Sequence, residues 1–231
     1  MRVIKRAFLI IVLISIIALA VIIAGGWGKY EQAIKVLPLE TAARNIKTQQ
    51  SFTPIDEIPD TFINAMVAVE DRRFYKHGGI DFIGIGRAIK NNFEKKALAE
   101  GGSSISQQLA KNIYFMGDDS LSRKIAEIFV TFDIEKNFTK DEILELYFNV
   151  IYYGSGYYCI LDASEGYFGK TPGELTDYEA TILAGIPNAP SAYSLKNNPD
   201  LAKKRQKTVV EAMVSEEYIT QEEADEIISL Q

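Results

Sequence analysis

Two glutamates stand where a solvated carboxylate is not expected. On a helix that the pattern opens at Thr61, with Asp60 as its cap, Phe62, Met66 and Val69 recur at i, i+4 and i+7. Successive helical residues turn by about 100°, so Glu70 falls on the side of Ile63, Met66 and Val67. Burial on an apolar face penalises the charged form and raises a carboxyl pKa, which suits a general base or acid working near neutral pH. The competing reading is a helix-end glutamate paired with Arg72, Arg73 or Lys76.

The second glutamate lies on a helix from Ser122, where Leu121, Ile125, Ile128 and Phe132 form a stripe at i, i+4, i+7 and i+11. Glu127 is on the other side, one turn from Arg123. As a surface pair the two would contribute only about 0.2–0.5 kcal/mol, in the less favourable order of charges. Yet Val130 and Ile134 flank the same side, and a solvated face does not usually carry two β-branched apolar residues, so the patterning favours Arg123 and Glu127 lining a cleft.

Between these helices runs Gly101-Gly102-Ser103-Ser104-Ile105-Ser106-Gln107-Gln108-Leu109-Ala110-Lys111, a glycine turn entering a helix. Free backbone N–H groups, the hydroxyls of Ser103 and Ser104 and the positive helix end favour an anion such as phosphate, and Lys111 adds a full charge. Taken alone, the stretch is also an ordinary loop-to-helix start, and it does not fit a Walker A loop. His77 is the single histidine, so a Ser-His-Asp triad or a multi-histidine zinc site would have to be built on it alone. No metal-ligand spacing is visible and no cofactor is indicated, although a divalent metal is not excluded. Cys159 is the one cysteine and cannot form an intrachain disulfide.

The elements that must hold these groups read as helices almost throughout. Thr139 with Glu142, Thr176 with Glu179 and Thr220 with Glu223 match the Ser/Thr-x-x-Glu capping box, and Asn198-Pro199 opens a further helix with Pro at its first position. No run of strand alternation is present, so the expected class is all-α. Upstream, Ala7 to Ala24 are 18 residues without a charge, close to the roughly 20 that span hydrocarbon. Arg2, Lys5 and Arg6 precede the run, and Trp27 and Tyr30 follow it at headgroup depth. This charge bias puts the N-terminus in the cytoplasm and the remainder outside. A cleaved signal peptide with Ala18-Leu19-Ala20 as its site is the alternative. The expected organisation is a basic N-terminus at 1–6, an anchor at 7–24, a linker at 25–50 and one domain from 51 to 231. A net charge of −6 argues against generic nucleic-acid binding.

Four blocks of this sequence resemble glycosyltransferase family 51, the transglycosylase module of penicillin-binding proteins and monofunctional transglycosylases. Glu70-Asp71-Arg72-Arg73-Phe74-Tyr75-Lys76-His77-Gly78-Gly79-Ile80-Asp81 resembles the first motif, Gly101 to Asn112 the second, and Arg123-Lys124-x-x-Glu127 the third. Ile143 to Asn149, Tyr153-Gly154, Tyr167-Phe168-Gly169 and Ala184 to Ser191 resemble the remainder. Agreement in order and spacing across blocks with no local reason to co-occur makes the resemblance specific. It implies a lysozyme-like fold of two helical lobes behind a single transmembrane helix. It also implies polymerisation of lipid II into β-1,4-linked glycan, with inversion, by displacement of undecaprenyl diphosphate. Glu70 would deprotonate the acceptor 4-hydroxyl, and Glu127 would help activate or stabilise the departing diphosphate. Lys111, Arg123 and Lys124 would supply positive charge to that group, while Ser103, Ser104, Gln107 and Gln108 position it. His77 would be structural.

The family's membrane-dipping jaw would comprise Phe82, Ile83, Ile85, Ile89, Phe93 and Leu98, interleaved with Arg87, Lys90, Lys95 and Lys96 for anionic headgroups; an ordinary core-facing helix is the alternative. Implied partners are lipid II and nascent glycan, the bilayer and other cell-wall synthesis proteins. The sequence departs from the pattern at Asp119, where many relatives carry Arg, and at Cys159, Asp162, Ser104 and Ser106. These departures leave open a catalytically impaired scaffold. A hydrolase on the same fold is a further alternative, against which the basic cluster speaks. The short stretch after the module leads to the expectation of a monofunctional enzyme.

Overall fold

The computed structural model describes residues 2–95 and 102–229, and among them every regular element is helical. The first is α1 (Arg2–Val36), a single helix whose apolar side chains from Phe8 to Ile23 are exposed almost without interruption. It is long and apolar enough to cross a membrane. Then come α2 (Leu39–Lys47), α3 (Asp60–Glu70), α4 (Phe82–Lys95), α5 (Ile105–Tyr114), α6 (Leu121–Asn137) and α7 (Lys140–Phe148). The chain continues through α8 (Ile160–Phe168), α9 (Asp177–Gly185), α10 (Pro190–Tyr193), α11 (Pro199–Ser215) and α12 (Gln221–Ser229).

The boundaries follow local chemistry. Thr139 with Glu142 and Thr176 with Glu179 form reciprocal capping boxes at α7 and α9. At α12 the Thr220 N–H donates to Glu223 Oε2 at 2.7 Å and the Glu223 N–H donates to Thr220 Oγ1 at 3.3 Å. Pro199 occupies the first turn of α11 behind Asn198. The start of α3 differs from expectation: Pro59 is the cap and Asp60 is already helical, because the Pro59 carbonyl takes the Phe62 N–H at 2.9 Å. Asp60 still lies in the first turn, where its charge suits the helix dipole.

One apolar core joins the elements around the site. α3 lies between α9 and α11, while α5 packs on α6 and α7. Phe62, Met66, Leu109, Ile143, Leu144 and Phe148 are fully buried, with the Phe62 and Phe148 rings edge to face at 5.0 Å. The segment 25–50, expected as a linker, is built otherwise. α1 runs unbroken to Val36, and α2 buries Leu39, Ala42, Ala43 and Ile46 at i, i+3, i+4 and i+7. Lys47 pairs with Glu145 of α7 at 2.7 Å.

α6 has two working faces. Ala126, Val130 and Ile134 point into the core together with Glu127, whereas Leu121 and Phe132 of the expected apolar stripe are 71% and 47% exposed. The middle of that stripe receives α1 instead. A Cβ built on Gly26 would lie 2.4 Å from Ile125 Cβ, so only glycine permits this approach of the two helices. Trp27 and Tyr30, expected at headgroup depth, dock on the same face. Trp27 meets Phe129 edge-on at 5.0 Å, and the Tyr30 hydroxyl donates to Asp133 Oδ2 at 2.7 Å. Lys29 pairs with Asp118 and donates to Ser120 Oγ at 3.0 Å, fastening α1 to the start of α6.

α4 leaves several of its apolar side chains outside the core. Phe82, Ile83 and Ile89 are exposed and Ala88 is buried. Of the residues expected on the apolar and basic faces, Lys96 and Leu98 lie outside the described residues, as do the side chains of Phe93 and Lys95.

The α1–α6 contact yields a paired test. Gly26→Leu should cost about 1–3 kcal/mol by overpacking, lowering Tm in detergent by about 2–4 °C per kcal/mol for a domain of this size. Gly28→Leu, which meets nothing within 4 Å, should leave Tm unchanged or slightly higher. Equal effects at both positions would show that the helices do not approach at Gly26.

Candidate active site

Glu70 is the last residue of α3, and its side chain is 8% exposed. The cations next to it in sequence are engaged elsewhere: Arg72 bonds Glu216 and Arg73 bonds Asp81, each at 3.2 Å. Lys76 is exposed. Glu70 is therefore not the helix-end ion pair that the local sequence also allowed. Its Oε2 accepts from Gln108 Nε2 at 2.9 Å, and the Gln108 Oε1 accepts from the Tyr147 hydroxyl at 2.9 Å. Tyr147 is fully buried, and burial pushes its phenol well above the usual range, so it remains a donor. That donor fixes which end of the Gln108 amide faces Glu70.

Burial raises the Glu70 pKa above the ordinary carboxylate value; the Gln108 hydrogen bond and the charge of Arg205 draw it partly back, and neighbouring Asp71 adds to the rise. Oε1 has no hydrogen-bond partner. The carboxylate is thus held at one oxygen and unpartnered at the other, which leaves that oxygen's lone pairs unused by the fold.

Asp71 and His77 secure the turn after α3. Asp71 Oδ2 accepts the Ile105 N–H at 3.0 Å, and His77 Nε2 lies 2.9 Å from Asp71 Oδ1. The Gly79 N–H donates to His77 Nδ1 at 3.2 Å, so the ring hydrogen belongs on Nε2, directed at Asp71. Lys140 donates to the His77 carbonyl at 2.8 Å. The imidazole has a structural task, joining the end of α3 to the start of α5.

The serine and glutamine residues before and within α5 divide by task. Ser104 and Gln107 form a reciprocal capping box, and Ser104 Oγ also donates to the Gly79 carbonyl. Both side chains are buried in the turn's own hydrogen bonds. Ser103 instead takes a hydrogen bond at 2.9 Å from Lys124 Nζ. Lys124 and Arg123 both pair with Glu127, which is 1% exposed. Two cations against one anion leave the cluster positive, and Arg123 Nε is buried without a partner. Cations in surplus, one of them largely buried, are suited to an anion carrying more than one charge.

Glu70, Ser103, Gln108, Lys111, Arg123 and Glu127 border one cavity of about 560 Å³. Ser104, Asp81, Arg87, Arg205 and Glu216 border a second of about 300 Å³, and Glu70 and Ser103 belong to both. Among the described residues no group of three or more His, Cys, Asp and Glu could hold a metal ion.

Residues 38–214 match the family model described as Transglycosylase. This chain belongs to the transglycosylase family. It is 41% identical over 181 residues to penicillin-binding protein 1A of Neisseria gonorrhoeae, covering 78% of this chain and 23% of that protein. To penicillin-binding protein 2D of Bacillus subtilis (strain 168) it is 44% identical over 184 residues, covering 80% and 27%. The chain thus spans about a quarter of the length of the curated relatives it matches. The crystal structure of penicillin-binding protein 1A from Haemophilus influenzae aligns with a TM-score of 0.37 at 32% identity, over 54% of this chain and 15% of that one.

All nine residues singled out in this transglycosylase from its sequence border one cavity or the other: Glu70, Glu127, Ser103, Ser104, Gln107, Gln108, Lys111, Arg123 and Lys124. Sequence reasoning missed Tyr147 and Arg205. Tyr147 reads as one more core aromatic in an apolar helix. Arg205 is hidden in a basic run with Lys203, Lys204 and Lys207, although it shares a helix face with Ala202 and Val209, both buried. Of the departures from the family pattern, Asp119 is exposed, and Cys159 is buried at the cap of α8, where its Sγ accepts the Asp162 N–H at 3.3 Å.

A raised carboxylate pKa has a definite sign in stability. The folded state holds the Glu70 proton to higher pH than the unfolded chain does, so folding is disfavoured once pH climbs past the unfolded value. Glu70→Gln should therefore stabilise the fold at pH 8 by about 0.5–2 kcal/mol, read as a higher Tm, and the gain should vanish near pH 4. A lower Tm at pH 8 would show that the buried charge is compensated.

Proposed function

We propose that this transglycosylase is a peptidoglycan glycosyltransferase that polymerises lipid II by inverting displacement. The observation that carries the reading is the shared cavity, with a buried carboxylate unpartnered at one oxygen on one side and a surplus of positive charge on the other. A hydrolase of neutral glycan has no use for such a charge pattern beside its acid.

In the proposed step Glu70 Oε1 takes the proton of the acceptor sugar's 4-hydroxyl, and the freed oxygen pair attacks the donor's anomeric carbon. The bond from that carbon to the lipid diphosphate breaks, its electron pair leaving with the phosphate oxygen. A single attack on the opposite face turns an α-linked donor into a β-1,4 linkage. Lys111, Arg123 and Lys124 stabilise the charge that grows on the leaving group, which is where binding accelerates the chemistry. Glu127 holds Arg123 and Lys124 in place before the diphosphate arrives. Ser103 positions the diphosphate directly, whereas Ser104 and Gln107 act by shaping the turn.

Membrane placement supports this reading. We propose that 1–6 is cytoplasmic, that the apolar part of α1 crosses the bilayer once, and that the rest is extracytoplasmic, following the charges of Arg2, Lys5 and Arg6. The exposed Phe82, Ile83 and Ile89 of α4 then meet the lipid from which the substrate is drawn.

The test is polymerisation of labelled lipid II by the detergent-purified protein, resolved on a gel beside Glu70→Gln. The wild type should make long glycan, the variant should lose at least about 100-fold as removal of a general base does, and kcat/KM should fall on the acid side at a pH above the ordinary carboxylate range. Absence of polymer from the wild type, where a relative makes it, would remove the enzyme reading in favour of a scaffold that binds cell-wall synthesis proteins.

A further inference from the structure

We infer that Arg205 is a positioning residue for Glu70, a fixed positive charge that faces the unpartnered oxygen of the base without occupying it. The inference rests on Glu70 being the base. Arg205 Nη2 stands 3.8 Å from Glu70 Oε1, beyond hydrogen-bonding range. Oε1 and Arg205 Nε are both buried and both lack a hydrogen-bond partner. With Oε2 already held by Gln108, Oε1 is the oxygen left to receive a proton. A cation at this separation favours the carboxylate while leaving its lone pairs free, whereas a direct hydrogen bond would compete with the incoming hydroxyl.

The fold holds the guanidinium there by its stem. Arg205 crosses α9 at Gly185, where a Cβ would lie 2.9 Å from Arg205 Cγ, so any larger residue would push the side chain aside. Its guanidinium carbon sits 5.8 Å from the centre of the Tyr193 ring on α10. The side chain is 14% exposed, at the border of the smaller cavity.

The other charges near Glu70 do not substitute for it. Asp71, at the end of its own helix, pushes its pKa up, and Arg205 is the cation that lowers it. Lys111, Arg123, Lys124 and Glu127 face it across the larger cavity, the last three committed to one another. In the smaller cavity Arg72 is paired with Glu216, and Asp81, which borders it together with Arg87, bonds Arg73. α9 offers Asp177, which bonds Thr61 at the far end of α3.

The experiment is the pH dependence of kcat/KM for lipid II polymerisation by the full-length protein in detergent, comparing wild type, Arg205→Met and Arg205→Lys, with Tm recorded for each. Arg205→Met should move the acid limb upward by about one unit, so that the loss is about tenfold below the limb and shrinks toward none at alkaline pH. Arg205→Lys, which keeps a charge on a shorter reach, should fall between the two. An acid limb unmoved in Arg205→Met, or a loss of the same size at every pH, overturns the inference and leaves Arg205 a packing residue. Should Arg205→Met fail to fold, Arg205→Gln takes its place, and an acid limb unmoved in that variant overturns the inference equally. Retained polymerisation by Glu70→Gln would instead remove the assignment of the base.

Discussion

The burial of one carboxylate organises this structure. Glu70 ends α3, where the helix dipole is negative and the surrounding core is apolar, so its charged form is disfavoured twice. Such a group needs a hydrogen bond and an opposite charge to remain competent, and three other helices supply them. α5 brings Gln108, α7 fixes that amide through Tyr147, and α11 brings Arg205. Each of these helices packs into the same core, so the geometry of the base depends on the whole body of the domain.

The basic cluster is governed by the opposite constraint. Here charges are brought together at low exposure, with Glu127 buried against Arg123 and Lys124. Removing Glu127 would leave two adjacent cations without their shared counter-charge, which costs more than the intact cluster contributes. α6 can sustain this because its other side is clamped. The close approach of α1 at Gly26, the Lys29–Asp118 pair and the Tyr30–Asp133 hydrogen bond fix the start and middle of α6 from outside. The apolar helix and the charged face of the cavity are consequently parts of one rigid joint.

The capping boxes at Thr139, Thr176 and Thr220 were legible because a cap is satisfied by residues three apart, whatever the tertiary fold does. The buried side of α6 was legible for a related reason, since Val130 and Ile134 betray it next to Glu127. The neighbouring stripe of Leu121, Ile125, Ile128 and Phe132 misled: it is apolar because a second helix covers its middle, and its ends stay exposed. The segment 25–50 carried a readable i, i+3, i+4, i+7 pattern in α2, obscured by its position after the apolar run.

The sequence by itself determined the helical class, the apolar span, the family and the nine residues around the two cavities, because these are matters of periodicity, of local hydrogen bonding and of residue types at fixed spacing. Only the tertiary structure decided which oxygen of Glu70 is left unpartnered, that Arg72 and Arg73 turn away from it while Arg205 faces it, and that Ser104 and Gln107 are spent on the turn. A hydrogen bond or an ion pair between residues 38 or 135 positions apart leaves no periodic trace in the chain; it exists once packing has brought the helices together.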